Sequence, residues 1–222
     1  MYEDIREDIS KEDLNYTYLS IMSNKLSVGI VGGGKASYLK CKKFLENGCQ
    51  VEVLSLNFIS EFYDLKNIKL IKGTYNKKFI KNKHLVIIST NDENINLEIK
   101  KDCEDEFKIY IFASDYIKGM AVAPMQRQLK NITFALNTKN GNPKGAIMLS
   151  NKVFDILNNY DDFIEYSSKI RDKAKLIEKN KKEIINFVCS EDFKYIYIKR
   201  KDKLVLELFF GKEIVKKIYK DL

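Results

Sequence analysis

The stretch Leu26-Ser27-Val28-Gly29-Ile30-Val31-Gly32-Gly33-Gly34-Lys35-Ala36-Ser37 decides how the rest of the chain is read. A strand-forming run breaks at three glycines. Beyond them Tyr38, Cys41 and Leu45 recur at helical spacing, with Phe44 beside them, up to the helix stop Asn47-Gly48. Gly32-x-Gly34-x-x-Ser37 fits the dinucleotide fingerprint, with serine in the third small position. Gly32 permits the tight turn, Gly34 lets backbone approach a pyrophosphate, and Ser37 lets helix and strand pack closely. Free N–H groups at the helix start then face the phosphates. Gly32, Gly33, Gly34, Lys35 and Ala36 are therefore candidate cofactor contacts. A purely structural tight turn is the plainer alternative. The strand before and the helix after favour the cofactor.

Outward from the turn the rhythm continues. Val51–Leu54, Ile68–Ile71, Leu85–Ser89 and Ile109–Ala113 read as strands, and Ile95, Ile99 and Cys103 mark a helix between the last two. Strand and helix in alternation predict an α/β fold with a Rossmann-type parallel sheet. The carboxylate that normally ends the second strand and holds the ribose is missing. Glu52 lies inside the strand, and Ser55 or Asn57 is left for the ribose, so NAD and NADP are both open. After residue 113 the pattern changes. Asp115 to Arg127 is irregular, Ile132–Leu136 is a strand, and Asn137–Pro143 is a polar loop. A long helical stripe follows through Phe163, Tyr166, Ile170, Ala174, Ile177, Ile184 and Val188, needing a partner surface in this chain or a second copy. Residues 194–210 suit a hairpin or a helix pair equally.

Composition narrows the function. No apolar run reaches the roughly 20 residues of a membrane helix. The acidic start (Glu3, Asp4, Glu7, Asp8) has no export pattern, so a cytoplasmic location is expected. Cys41, Cys49, Cys103 and Cys189 are scattered without a CxxC pair, which argues for reduced thiols and against a permanent metal site. The sole histidine, His84, opens an apolar strand and reads as structural. A net charge of +8 favours polyanions, yet the lysines are dispersed and no nucleic-acid motif is present. Nucleotide phosphates or a small molecule with many carboxylates fit this charge better than nucleic acid does.

At this point the chain resembles the precorrin-2 dehydrogenase/sirohydrochlorin ferrochelatase family, the amino-terminal module of siroheme synthases, from about Tyr18 to about Lys175. The family's GGGxVAxRK-like turn is matched by Gly32-Gly33-Gly34-Lys35-Ala36-Ser37-Tyr38-Leu39-Lys40, and its VxVxSP strand by Val51 to Leu56. Its ATxDxxLN run is matched by Ser89-Thr90-Asn91-Asp92-Glu93-Asn94-Ile95-Asn96, which adds Thr90 and Asn91 to the cofactor candidates. Its Asn-x-x-Asp motif is matched by Phe112-Ala113-Ser114-Asp115, and both prolines of the chain, Pro124 and Pro143, fall where the family has one.

The resemblance implies a homodimer with a Rossmann domain (1–113), a central dimerisation segment (114–149) and a helical carboxyl-terminal domain (150–222). It also favours helices over 194–210. It implies NAD-dependent oxidation of precorrin-2 to sirohydrochlorin, and in some members insertion of ferrous iron or cobalt, a metal held only in passing. Asp115 would be the base for both reactions. A turn or cap role is the plainer reading of an aspartate after a strand. The tetrapyrrole carries eight carboxylates, for which Lys118, Arg127, Asn137, Thr138 and Lys139 are the candidate contacts, with Lys130 and Lys144 nearby. The chain departs from the family at Leu39 (arginine in the family), Phe112 (asparagine) and the loop Asn137–Asn142 (serine- and glycine-rich). These departures motivate an alternative, a non-catalytic tetrapyrrole carrier or NAD(P)-dependent redox sensor.

Overall fold

The computed structural model describes residues 15–220; the acidic arm's Glu3, Asp4, Glu7 and Asp8 lie outside the described residues. The chain forms two compact units, Met1–Ala123 and Pro124–Leu222.

The first unit is a five-stranded sheet of β1 (Ser27–Val31), β2 (Gln50–Ser55), β3 (Ile68–Lys72), β4 (Leu85–Ile88) and β5 (Ile109–Phe112). All pairings are parallel and the order is β3-β2-β1-β4-β5. Helices α1 (Lys35–Glu46) and α2 (Glu93–Asp105) cover it. The β-branched runs bury alternate residues on opposite faces. Val28, Ile30, Val51, Val53 and Ile87 pack with Cys41 of α1 and with Phe62, which the short 3-10 turn Ser60–Asp64 delivers. Val31, Val86, Ile88, Tyr110 and Phe112 pack with Ile99 and Cys103 of α2. Each such side chain contributes about 1.5–3 kcal/mol by leaving water. Burial pushes the thiols of Cys41 and Cys103 up to about 12, so both are inert. His84 is structural: its Nδ1 accepts the Ser27 N–H at 3.0 Å, joining the starts of β4 and β1.

One core residue is unexpected. Lys83 is only 2% exposed. Its stem runs over Gly29, where a Cβ would lie 3.0 Å from the Lys83 Cγ. Its ammonium meets Glu52 at 3.2 Å and Asn82 at 2.6 Å, so the buried charge is paired.

The second unit begins with an antiparallel pair, β6 (Met125–Gln128) and β7 (Thr133–Leu136). The irregular stretch expected over 115–127 therefore ends in a strand. Residues 114–123, grouped from the sequence with the central segment, belong to the first unit, where the Ala121 N–H donates to the Tyr110 carbonyl at 3.0 Å. Helices α3 (Pro143–Asn158), α4 (Asp161–Ala174), α5 (Lys181–Val188), α6 (Glu191–Ile198), α7 (Asp202–Phe210) and α8 (Lys212–Ile218) follow. Residues 194–210 thus form a helix pair, α6 and α7, joined at residues 199–201. The long apolar stripe is two helices, broken where Asn180 takes a left-handed conformation (φ 61°). Phe163, Ile170, Ala174, Ile184 and Val188 are buried with Phe193, Leu206, Val215 and Ile218 in the unit's own core. Most of the stripe therefore packs within this chain. Among the described residues no helix is long and apolar enough to cross a membrane.

Candidate functional site

The carboxyl ends of the five strands form one rim, with neighbouring strands about 4.8 Å apart. In strand order it carries Lys72, Ser55, Gly32–Gly34, Thr90–Asn91 and, three residues past β5, Asp115. Ligands of open α/β sheets bind along such a rim, where the strand order reverses, here between β1 and β4.

The glycine turn divides into two parts. Gly32 has φ +126°, and a Cβ there would lie 2.1 Å from the Ser89 carbonyl oxygen. At Gly33 a Cβ would lie 2.0 Å from the Asn57 oxygen, because the chain leaving β2 folds back over the turn and the Ile59 N–H donates to the Gly33 carbonyl at 3.0 Å. These two glycines are packing necessities. Gly34 differs: nothing lies within 4 Å of a Cβ placed on it. It is the N-cap of α1, with no side chain bonding the first N–H groups, and Gly34, Lys35 and Ala36 are exposed. By contrast, Asp92 caps α2 by accepting from the N–H groups of Asn94 and Ile95. Ser37 is buried, its hydroxyl 3.4 Å from the Ser89 carbonyl. An open, uncapped helix start is a cradle that fits a pyrophosphate.

Ser55 lies under the turn and donates to the Asn57 carbonyl at 2.8 Å, leaving its lone pairs for a further donor. Thr90 is held by a residue whose role the sequence reading missed. Asn96, buried in α2, accepts from the Thr90 hydroxyl (2.7 Å) and N–H (3.3 Å) and donates to the Thr90 carbonyl (3.1 Å). Asn91 is exposed at the tip of that loop. An asparagine on a helix reads as a surface residue, and only its place in the Thr90-x-Asp92-x-x-x-Asn96 run hinted otherwise.

Asp115 caps the 3-10 turn Tyr116–Lys118, with Oδ1 accepting the Ile117 N–H at 3.1 Å. Oδ2 has no hydrogen-bond partner among the described residues. Lys118 is engaged: its ammonium meets Glu93 at 2.6 Å, which raises its pKa, and stands 5.6 Å from the centre of the Phe112 ring.

The remaining substrate candidates lie in the second unit. Arg127 bonds the Ser150 hydroxyl at 3.2 Å and the Asn151 side chain, with its guanidinium over Phe154, so it ties β6 to α3. The loop Asn137–Asn142 is ordered by its own polar groups. The Thr138 hydroxyl accepts the Asn142 N–H (2.6 Å), and Asn142 caps α3 by accepting the Gly145 N–H (2.9 Å). Lys139 is exposed. Lys130 pairs with Glu165 at 2.5 Å. The first unit has 18 Lys and Arg against 18 Asp and Glu, and the second has 21 against 13, so the whole excess of +8 sits in the second. No group of His, Cys, Asp or Glu that could hold a metal occurs among the described residues.

Comparison with known proteins agrees with this geometry. The family model "Putative NAD(P)-binding" matches residues 19–125. Precorrin-2 dehydrogenase of Priestia megaterium is 20% identical over 189 residues, 80% of this chain and 91% of that protein. A siroheme synthase of Actinobacillus succinogenes is 26% identical over 156 residues, 68% of this chain but 33% of that protein, so the match spans about a third of the siroheme synthase. The solved structure of SirC, a precorrin-2 dehydrogenase, shares the fold with a TM-score of 0.67 at 16% identity, covering 87% of this chain and all of that one. The chain thus carries an NAD(P)-binding domain over residues 19–125 and is similar over most of its length to a precorrin-2 dehydrogenase.

Proposed function

We propose that the chain binds NAD(P) at the Gly32–Gly34 turn and dehydrogenates a reduced, carboxylate-rich tetrapyrrole, converting precorrin-2 to sirohydrochlorin within siroheme biosynthesis. One observation carries the proposal. A single rim bears an uncapped helix start with room for phosphate and, two strands along, a carboxylate with one oxygen free. The relatives' names supply the substrate.

The Gly34, Lys35 and Ala36 backbone would hold the pyrophosphate, and Ser55 the adenosine ribose. Bound NAD(P) supplies the acceptor for a hydride leaving a substrate carbon. The accompanying proton goes to Oδ2 of Asp115, while Oδ1 stays bonded to the Ile117 N–H and keeps the carboxylate in place. The basic second unit draws in the polyanionic substrate. Insertion of iron or cobalt, with the metal as substrate, would use the same carboxylate to take the pyrrole N–H protons. A homodimer rests on the family resemblance. It would use apolar residues left exposed on α3, such as Leu149 and Ile156, and sedimentation at micromolar concentration checks it.

The test is anaerobic incubation with precorrin-2 and either dinucleotide. The sirohydrochlorin spectrum should develop. Asp115→Asn should retain the cap and the cofactor affinity while turnover falls about 10²–10⁴-fold. An active Asp115→Asn removes that residue from the mechanism. Leu39, 58% exposed where the family has arginine, favours a second reading, a tetrapyrrole carrier or redox sensor. Tight tetrapyrrole binding without any spectral conversion supports that one.

A further inference from the structure

The turn that Asp115 caps also carries a hydroxyl without a partner. Tyr116 opens that turn, directly after the carboxylate. A tyrosine near a surface normally buries its ring and leaves its hydroxyl in water. Tyr116 is arranged the other way. The residue is half-buried, yet its hydroxyl is shut off from solvent with no hydrogen-bond partner. Among the described residues it is the one buried side-chain oxygen or nitrogen left so. Four other sheltered phenols each meet a carboxylate: Tyr75 donates to Asp102 at 2.9 Å, Tyr110 to Glu104 at 2.7 Å, Tyr219 to Asp202 at 2.7 Å, and Tyr166 to the same Asp202. A hydroxyl kept from water without an acceptor destabilises the resting fold, so it gains from any state that supplies one. The Tyr116 side chain keeps enough exposure to turn between staggered χ1 positions.

We propose that the missing acceptor is a carboxylate of the bound tetrapyrrole, and that Tyr116 turns out to donate to it beside Asp115, a contact that sets substrate affinity. A phenol and a carboxylate make a short, charge-assisted bond, the kind the four other phenols already make. A substrate rich in carboxylates that presents a carbon to Asp115 brings such an acceptor to the next residue. The inference rests on the dehydrogenase reading of the rim.

Removing one oxygen from the full chain separates this role from a structural one. Tyr116→Phe should melt about 2–4 °C above wild type, because the unsatisfied group is gone. Its Kd for sirohydrochlorin, read by anaerobic absorbance titration, should rise about 10–100-fold. KM for precorrin-2 should rise with it while kcat holds within about threefold, the mark of a contact made equally in ground and transition states. Kd for NAD and for NADP should stay within about twofold. Tyr75→Phe is the control, since it removes a phenol whose partner, Asp102, lies in the last turn of α2. It should melt below wild type and bind sirohydrochlorin normally. A Tyr116→Phe protein that melts below wild type has lost a partner within the fold, which overturns the proposal. Normal sirohydrochlorin affinity in that variant, or a loss that falls on the dinucleotides instead, overturns it too. Wild type that binds sirohydrochlorin but leaves precorrin-2 unconverted overturns the dehydrogenase reading, while the ratio of Kd values still judges Tyr116. Wild type that binds no tetrapyrrole overturns both.

Discussion

Two neighbouring glycines should respond to the same substitution in opposite ways. At Gly34 an added methyl meets nothing within 4 Å, and the backbone sits at φ −87°, ψ −176°, which alanine adopts freely. Gly34→Ala should therefore leave the folded state untouched and gain about 0.4–1 kcal/mol from the stiffer unfolded chain. At Gly33 the methyl would lie 2.0 Å from the Asn57 backbone oxygen and 2.8 Å from the Ser55 hydroxyl. Backbone cannot yield by the ångström or more required without moving the loop over the turn. Gly33→Ala should cost about 1–3 kcal/mol or more.

Binding should run the other way for Gly34→Ala. The methyl would occupy the space where a pyrophosphate approaches the first turn of α1. Each charged hydrogen bond lost is worth about 1.5–3 kcal/mol. One such loss predicts a dinucleotide Kd about 10–100-fold higher in a protein that melts at or above the wild-type temperature. Urea denaturation and calorimetric titration on the same preparations give both numbers. A Gly34→Ala protein that binds NAD and NADP normally would refute the placement of the phosphates. Stability falling together with affinity would refute the claim that the position is open.

Three further outcomes follow from the packing and charge. Asn96→Ala should remove all three bonds to Thr90 and strip its backbone N–H and carbonyl of the Asn96 side chain, while its hydroxyl keeps Asp92, costing about 1–3 kcal/mol in urea denaturation and weakening dinucleotide binding. Since the entire excess of +8 lies in the second unit, kcat/KM for a polycarboxylate substrate should fall steeply as ionic strength rises, while dinucleotide Kd, read on the neutral first unit, should respond less. In the helical unit the Tyr166 and Tyr219 hydroxyls both bond Asp202 and each other; burial, reinforced by that carboxylate, pushes both phenols well above their usual range. A raised folded pKa means that this contribution is complete below about pH 10, the unfolded value, and is lost as pH rises beyond it. Melting curves from neutral to alkaline pH should therefore fall less steeply above that point in Tyr219→Phe than in wild type.

The parallel sheet was legible because its strands are β-branched runs bounded by glycine or asparagine, and because a buried strand needs no alternation to be recognised. The strand Met125–Gln128 was not. Met-Gln-Arg-Gln has no β-branched residue, and it is a strand because β7 and α3 offer it hydrogen bonds and a surface. Over 194–210 the apolar residues satisfy two periods at once. Local chemistry resolves them: Ser190 accepts the Phe193 N–H and so starts a helix, and Gly211, at φ 89°, ends the next one. At the site, glycines were readable because backbone demands glycine whatever surrounds it. Asn96 and Lys83 were hidden because each is a polar residue made acceptable inside by partners remote from it in sequence.

The departure at Phe112 bears on whether the rim remains a working site. Where the family resemblance has an asparagine, this chain has a phenylalanine that is 1% exposed and packs on the α2 side of the sheet. Such a residue supports the rim from beneath. Its ring lies under the Lys118 ammonium, and Lys118 in turn grips Glu93 in the first turn of α2. The Ala113 N–H continues the ladder to the Ile88 carbonyl, and the Ala121 N–H returns to the Tyr110 carbonyl. The short turn bearing Asp115 is thus pinned before, within and after the aspartate. Lys118 acts as a clamp on this turn, a different duty from the substrate contact its charge suggested. A carboxylate held this firmly, with one oxygen spent on its own turn, pays little entropy to present the other to a proton. Phe112, standing where the family resemblance has an asparagine, therefore braces the turn by packing beneath it.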